Sequence, residues 1–137
     1  MNNMEKVDVI VELTENNYAA YIDILPGCVS TGKTFIQLQK NMREALDFHL
    51  ETSREFGDEI PAIFDSAYEL VFKFDPESLL LHYKGIFTNS AFERLTGINQ
   101  RQLQRYAVGK SKPLPAQSRK ITKALHDLGR ELLMVEL

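Results

Sequence analysis

Cysteine is nearly absent from this chain, and that absence narrows its chemistry. The one cysteine, Cys28, cannot close an internal disulfide. Histidine is scarce as well: His49, His82 and His126 are scattered, whereas a zinc site needs about four Cys, His or carboxylate ligands converging. No apolar run approaches the roughly 20 residues of a membrane helix. The opening MNNMEKVDVIVELTE lacks a basic segment followed by a longer apolar block, the form of an export signal. These absences lead us to expect a reduced, cytoplasmic protein with no metal, no cofactor and no membrane partner.

What is present is globular: 137 residues, 44% hydrophobic and 26% charged, enough for one ordinary domain or two small ones. The net charge of −3 hides an asymmetry. Residues 1–78 hold 6 Lys and Arg against 15 Asp and Glu, a net of −9; residues 79–137 hold 10 against 4, a net of +6. Opposite charge in the two halves points to a different partner for each.

The first half alternates strands with a helix. VDVIVEL (7–13) is short and rich in β-branched residues, which predicts a mostly buried strand. Glu15, Asn16 and Asn17 form a turn, and YAAYIDI (18–24) is its hairpin partner. Pro26 and Gly27 supply a tight turn, after which Val29 to Gly32 is long enough for a third, short strand. From the N-cap Thr34 to Phe56 the period becomes helical. Phe35, Leu38, Met42, Ala45, Leu46 and His49 make one stripe, with Gly57 as the closing glycine. YELVFKF (68–74) is a strand with Tyr68, Leu70, Phe72 and Phe74 on one face. Asp75-Pro76 marks a boundary, since proline suits the first turn of a helix and cannot continue a strand ladder. The fold class expected is therefore α+β, a β-β-β-α-β domain over residues 1–75 followed by an all-α domain of four or five helices over residues 76–137.

Within that second half, TGINQRQLQRYAVGKSKPLP (96–115) carries the most specific chemistry. Gly97 closes one helix, Asn99 caps the next and Ile98 plugs the space between, with Leu103 and Tyr106 on the inner face. Gln100, Arg101, Gln104 and Arg105 are left pointing outward. Glutamine pairs bidentately with adenine and arginine with guanine, and both reach phosphates. A capped helix N-terminus also offers backbone N–H groups to a phosphate. Lys110 and Lys112 follow in a loop, where backbone contacts are common. The candidate DNA-binding residues are thus Asn99, Gln100, Arg101, Gln104, Arg105, Lys110 and Lys112. In the last helix, Ile121, Leu125, Leu128, Leu132 and Val135 step by four and three, the rhythm of a two-helix seam. Packing onto the domain's own core and self-association both account for it.

Gly97, Ile98, Asn99, Gln100, Leu103, Arg105, Tyr106, Gly109 and Pro113 resemble the Cro/lambda-repressor type of helix-turn-helix over about residues 79–130. Glu93 departs from that pattern, standing where the family usually has alanine. YAAYIDILPGCVSTGKT (18–34) and the helix after it resemble a second family, the HicB-type antitoxin domain. Pro26, Gly27, Cys28, Gly32, Thr34, Glu44 and Ala45 stand at the family's places, and the likeness covers about residues 5–75. Lys33 replaces a usual acidic residue and Leu38 a small one.

This second resemblance implies a partial ribonuclease-H-like fold without its catalysis. Such a domain binds and blocks a small basic RNA-cleaving toxin of the HicA type. The charge agrees, since an acidic domain attracts a basic protein and repels nucleic acid. Catalysis is not expected. Ribonuclease-H chemistry needs carboxylates converging on two metal ions, and nothing in the spacing gathers Asp8, Glu12 and Asp23. Cys28 has no visible group to lower its pKa. The sequence therefore leads to an antitoxin that also represses its own operon at operator double-stranded DNA, as a homodimer or higher homo-oligomer. A stand-alone transcriptional regulator with an acidic ligand-sensing or oligomerisation domain is the alternative.

Overall fold

The computed structural model describes residues 4–137 and is α+β. It divides into two compact units, Met1–Asp75 and Pro76–Leu137, each with its own apolar core.

The first unit is a four-stranded mixed sheet in the order β3-β2-β1-β4, crossed by one long helix. Strand β1 is Glu5–Leu13, β2 Tyr18–Tyr21, β3 Val29–Gly32 and β4 Tyr68–Phe74. β1 pairs antiparallel with β2 and parallel with β4. Helix α1, Phe35–Glu55, makes the connection from β3 towards the far edge, through a 3-10 turn at Ala62–Asp65. Thr34 caps α1 by accepting the Gln37 N–H at 3.1 Å. Gly57, at φ +71°, ends it in the left-handed region where glycine is not strained.

β1 is buried on one face only, which differs from the mostly buried strand read from its composition. Val7, Val9 and Val11 are fully covered, while Asp8 and Glu12 alternate outward. Helix α1 packs on one side of the sheet. The other side stays open, and there Asp8 pairs with Lys73 of β4 at 3.0 Å. On the covered side Leu38, Met42, Leu46 and Leu50 of α1 complete the core. Phe35 meets Phe72 and Phe74 edge-to-face at centroid distances of 5.6 and 5.1 Å. The buried stripe of α1 runs on to Leu50 and Ser53, one turn past His49, which is only half-buried.

β2 also stops three residues earlier than read. Ile22 N–H bonds to the Cys28 carbonyl, and Leu25 turns back on Ile22, so both apolar side chains enter the core from a tight loop. At Gly32 the sheet and α1 come close. A Cβ there would lie 2.5 Å from the Leu38 nitrogen and 2.8 Å from its Cα.

The second unit has four helices: α2 Pro76–Lys84, α3 Asn89–Thr96, α4 Gln100–Ala107 and α5 Pro115–Leu132. Leu80, Phe92, Ile98, Leu103, Tyr106, Ala107 and Ile121 form its core, with Leu79, Tyr83, Phe87 and Leu125 packed around them. α5 starts on Pro115, whose missing N–H costs nothing at a first turn. Its apolar stripe enters the core only at one end. Ile121 is buried, Leu125 and Leu128 are half-buried and Leu132 is more than half exposed, while Val135, read as the last step of the stripe, lies beyond the end of the helix.

Candidate nucleic-acid interface

The connection between α3 and α4 is built from local rules. Thr88 caps α3 by accepting the Ala91 N–H at 3.0 Å. Gly97, at φ +74°, ends α3 and bonds back to the Glu93 carbonyl. The Thr96 hydroxyl donates to the Phe92 carbonyl at 2.7 Å and accepts from the Ile98 N–H at 3.1 Å, which fixes the turn from inside. Ile98 then fills the space between the helices, 4% exposed. Asn99 caps α4 through its side-chain oxygen, accepting the Arg101 N–H at 2.8 Å. Leu103, Tyr106 and Ala107 anchor the inner face of α4.

The outer face carries Gln100, Arg101 and Arg105, all exposed, and Lys110 and Lys112 are exposed in the following loop. Gln104 sits differently from the outward position read for it. It is half-buried, and its side-chain oxygen accepts from Asn89 at 3.3 Å, tying α4 to the start of α3. The loop is fixed as well. Gln102 donates to the Ser111 hydroxyl at 3.1 Å, and Gly109, at φ +75°, lies against the Glu77 carboxylate, which a Cβ would approach to 3.1 Å. Lys110 therefore stands between two tethered positions, and Lys112 follows just after the second.

Glu93 is the residue whose role was not legible. Its carboxylate accepts from the Gln100 side-chain amide at 3.2 Å and from the Gln100 backbone N–H at 3.4 Å. It thus occupies part of the first turn of α4 and places a negative charge beside the Gln100 backbone N–H. Nothing in the sequence pairs residues seven apart across a turn; only the packing of α3 on α4 does.

On α5, Asp127 accepts from Lys123 at 2.6 Å and also from Arg130. The Lys123 hydrogen bond, aided by Arg130, holds its carboxyl below the usual aspartate range. The half-buried His82 of α2 has its pKa lowered by burial, which disfavours the charged ring. In the first unit, burial pushes the Cys28 thiol up from its ordinary value, so it is a packed neutral thiol. Among the described residues no group of His, Cys, Asp and Glu is gathered to hold a metal ion, and no helix is long and apolar enough to cross a membrane.

The site is an exposed, cation-bearing helix, capped and held by its neighbour, on a small helical unit. No family model matches the chain. It is similar to a UPF0150 protein of Helicobacter pylori strain J99, 36% identical over 44 residues, which is 32% of this chain and 61% of that protein. It is also similar to an uncharacterized 14.9 kDa protein from the rep-hol intergenic region of Haemophilus phage HP1. There the identity is 32% over 53 residues, 39% of this chain and 40% of the phage protein. The matched stretches thus span less than two thirds of either relative.

Proposed function

We propose that this chain is a HicB-type antitoxin. Its first unit, a partial ribonuclease-H-like fold, occludes a small basic HicA-like ribonuclease. Its second, a helix-turn-helix unit, represses the operon at operator DNA. The similarity to a UPF0150 protein, UPF0150 being the HicB-like family, supports the first half of this reading. The observation that carries the second is α4, with Gln100, Arg101 and Arg105 exposed on a helix capped by Asn99. Glutamine and arginine at the start of such a helix suit base edges in a major groove, and Lys110 and Lys112 suit the phosphates beside it. Self-association fits the same picture. At the end of α5 the stripe leaves the core of its own unit at Leu132, and a second copy of α5 would cover it, giving the two-fold symmetry of a palindromic operator.

The test uses a purified HicA-type toxin, a small basic RNA-cleaving protein. Residues 1–75, first verified as folded, are added at saturating concentration to an RNA-cleavage assay, so that lost avidity cannot decide the outcome. Inhibition is expected. Full residual cleavage would place the toxin-blocking surface elsewhere and favour a stand-alone regulator.

A further inference from the structure

Helix α1 turns an aromatic ring to solvent. Phe48, in the middle of the helix, is 71% exposed, and the helical period sets Glu44, Glu51 and Glu55, all exposed, on the same face. Beside it, Val29 at the start of β3 is 62% exposed. Between these two side chains lies a cleft of about 430 Å³, whose lining includes Cys28, His49, Thr52 and Asp58. Among the described residues, neither Asp58 nor the three glutamates takes part in an ion pair. The cleft therefore has apolar side chains, polar ones and one unneutralised carboxylate, Asp58, with the three glutamates on the helix face beside it.

That combination fits one kind of side chain. An arginine or lysine has an apolar stem that lies along Phe48 and Val29 and a cationic head that reaches Asp58. The ring face of Phe48 attracts the same cation, and the glutamates around it favour further positive charge on whatever carries that side chain. We propose that the cleft between β3 and α1 is the docking point of the first unit for a basic protein, receiving one arginine or lysine side chain of it as an anchor. This rests on the antitoxin reading and says where on the acidic unit the toxin is held. Acidic ligands are disfavoured by the same carboxylates.

The experiment measures binding of the full chain to a purified HicA-type toxin, a small basic protein, by titration calorimetry. Phe48→Ala and Asp58→Asn are compared with Ile36→Ala, a control on α1 that is 80% exposed and outside the cleft. Circular dichroism verifies that each variant is folded. We expect Phe48→Ala and Asp58→Asn each to weaken binding by about 10- to 100-fold, as loss of a buried anchor contact does, and Ile36→Ala to leave it unchanged. The double variant should lose less than the product of the two single effects, because both residues hold one side chain. Unmutated affinity in both cleft variants, while the unmutated chain binds, would overturn the docking point and leave the antitoxin reading standing. Failure of the unmutated chain to bind would remove both.

Discussion

The sheet-bearing unit and the helical unit differ in how they are held together and in what they show to solvent. The first surrounds one helix and one sheet face with twelve buried apolar residues and carries 6 Lys and Arg against 14 Asp and Glu, a net of −8. The second has seven buried apolar residues and carries 10 against 5, a net of +5. Units this small are marginal on burial alone. The helical one leans on caps and side-chain ties: Thr88, Thr96, Asn99, Asn89 with Gln104, and Gln102 with Ser111. Of the residues read for DNA contact, Asn99 and Gln104 are among these ties. In the sheet unit, core and surface are separate, so an outer residue such as Phe48 can change without touching the fold.

The comparison breaks if the two units do not unfold separately. Leu46→Ala deletes a fully buried side chain and should cost about 2–5 kcal/mol. In scanning calorimetry that lowers one transition by more than about 10 °C and leaves the other in place. A single transition moving as a whole would mean that the units share one cooperative core.

A smaller effect sharpens the contrast within the helical unit. Arg101→Ala should cost about 1–3 kcal/mol on the operator and relax its sequence preference, whereas Lys110→Ala should weaken all DNA alike and flatten the salt dependence. Glu93→Ala should act in the opposite sense. It frees the Gln100 amide and removes a negative charge from the start of α4, so DNA binding tightens by a few-fold, an effect of under about 1 kcal/mol. Competition titrations on specific and scrambled duplexes read all three.

The smallest effect is in pH. His82 holds its pKa below the ordinary 6.5 because burial disfavours the cation. The unfolded chain therefore binds that proton at higher pH than the folded one. The stability contributed by the neutral ring is present above 6.5 and is lost as the pH falls through 6.5 towards the folded pKa. The melting temperature of the helical unit should drop between about pH 7 and 5.5 more in the unmutated chain than in His82→Gln.

Much of this was readable from residues alone, because the signals are local. Thr34 and Asn99 cap the helices they precede, Gly97 closes α3, and the alternation in YELVFKF places Tyr68, Leu70, Phe72 and Phe74 against the core. What escaped depends on partners distant in sequence. β2 ends at Tyr21 because Ile22 finds Cys28, seven positions short of α1. β1 buries one face because α1 covers only that face of the sheet. Glu93 meets Gln100, and Gln104 meets Asn89, because α3 and α4 lie together. The cleft beside Phe48 exists only once α1 is laid across β3.

Gly32 has a consequence of another kind. The backbone of α1 passes so close to it that even a methyl group would collide with Leu38 N and Cα, which belong to a helix and cannot step aside. The position therefore works as a ruler between sheet and helix, and only one letter of the protein alphabet can be written there without changing the gap. In a saturation library scored for folding, its column should hold a single residue while neighbouring Thr31 and Lys33, both exposed, accept many. For chains too diverged to align by overall identity, a glycine three to six residues ahead of a capped, amphipathic helix would then fix the register between this sheet and this helix.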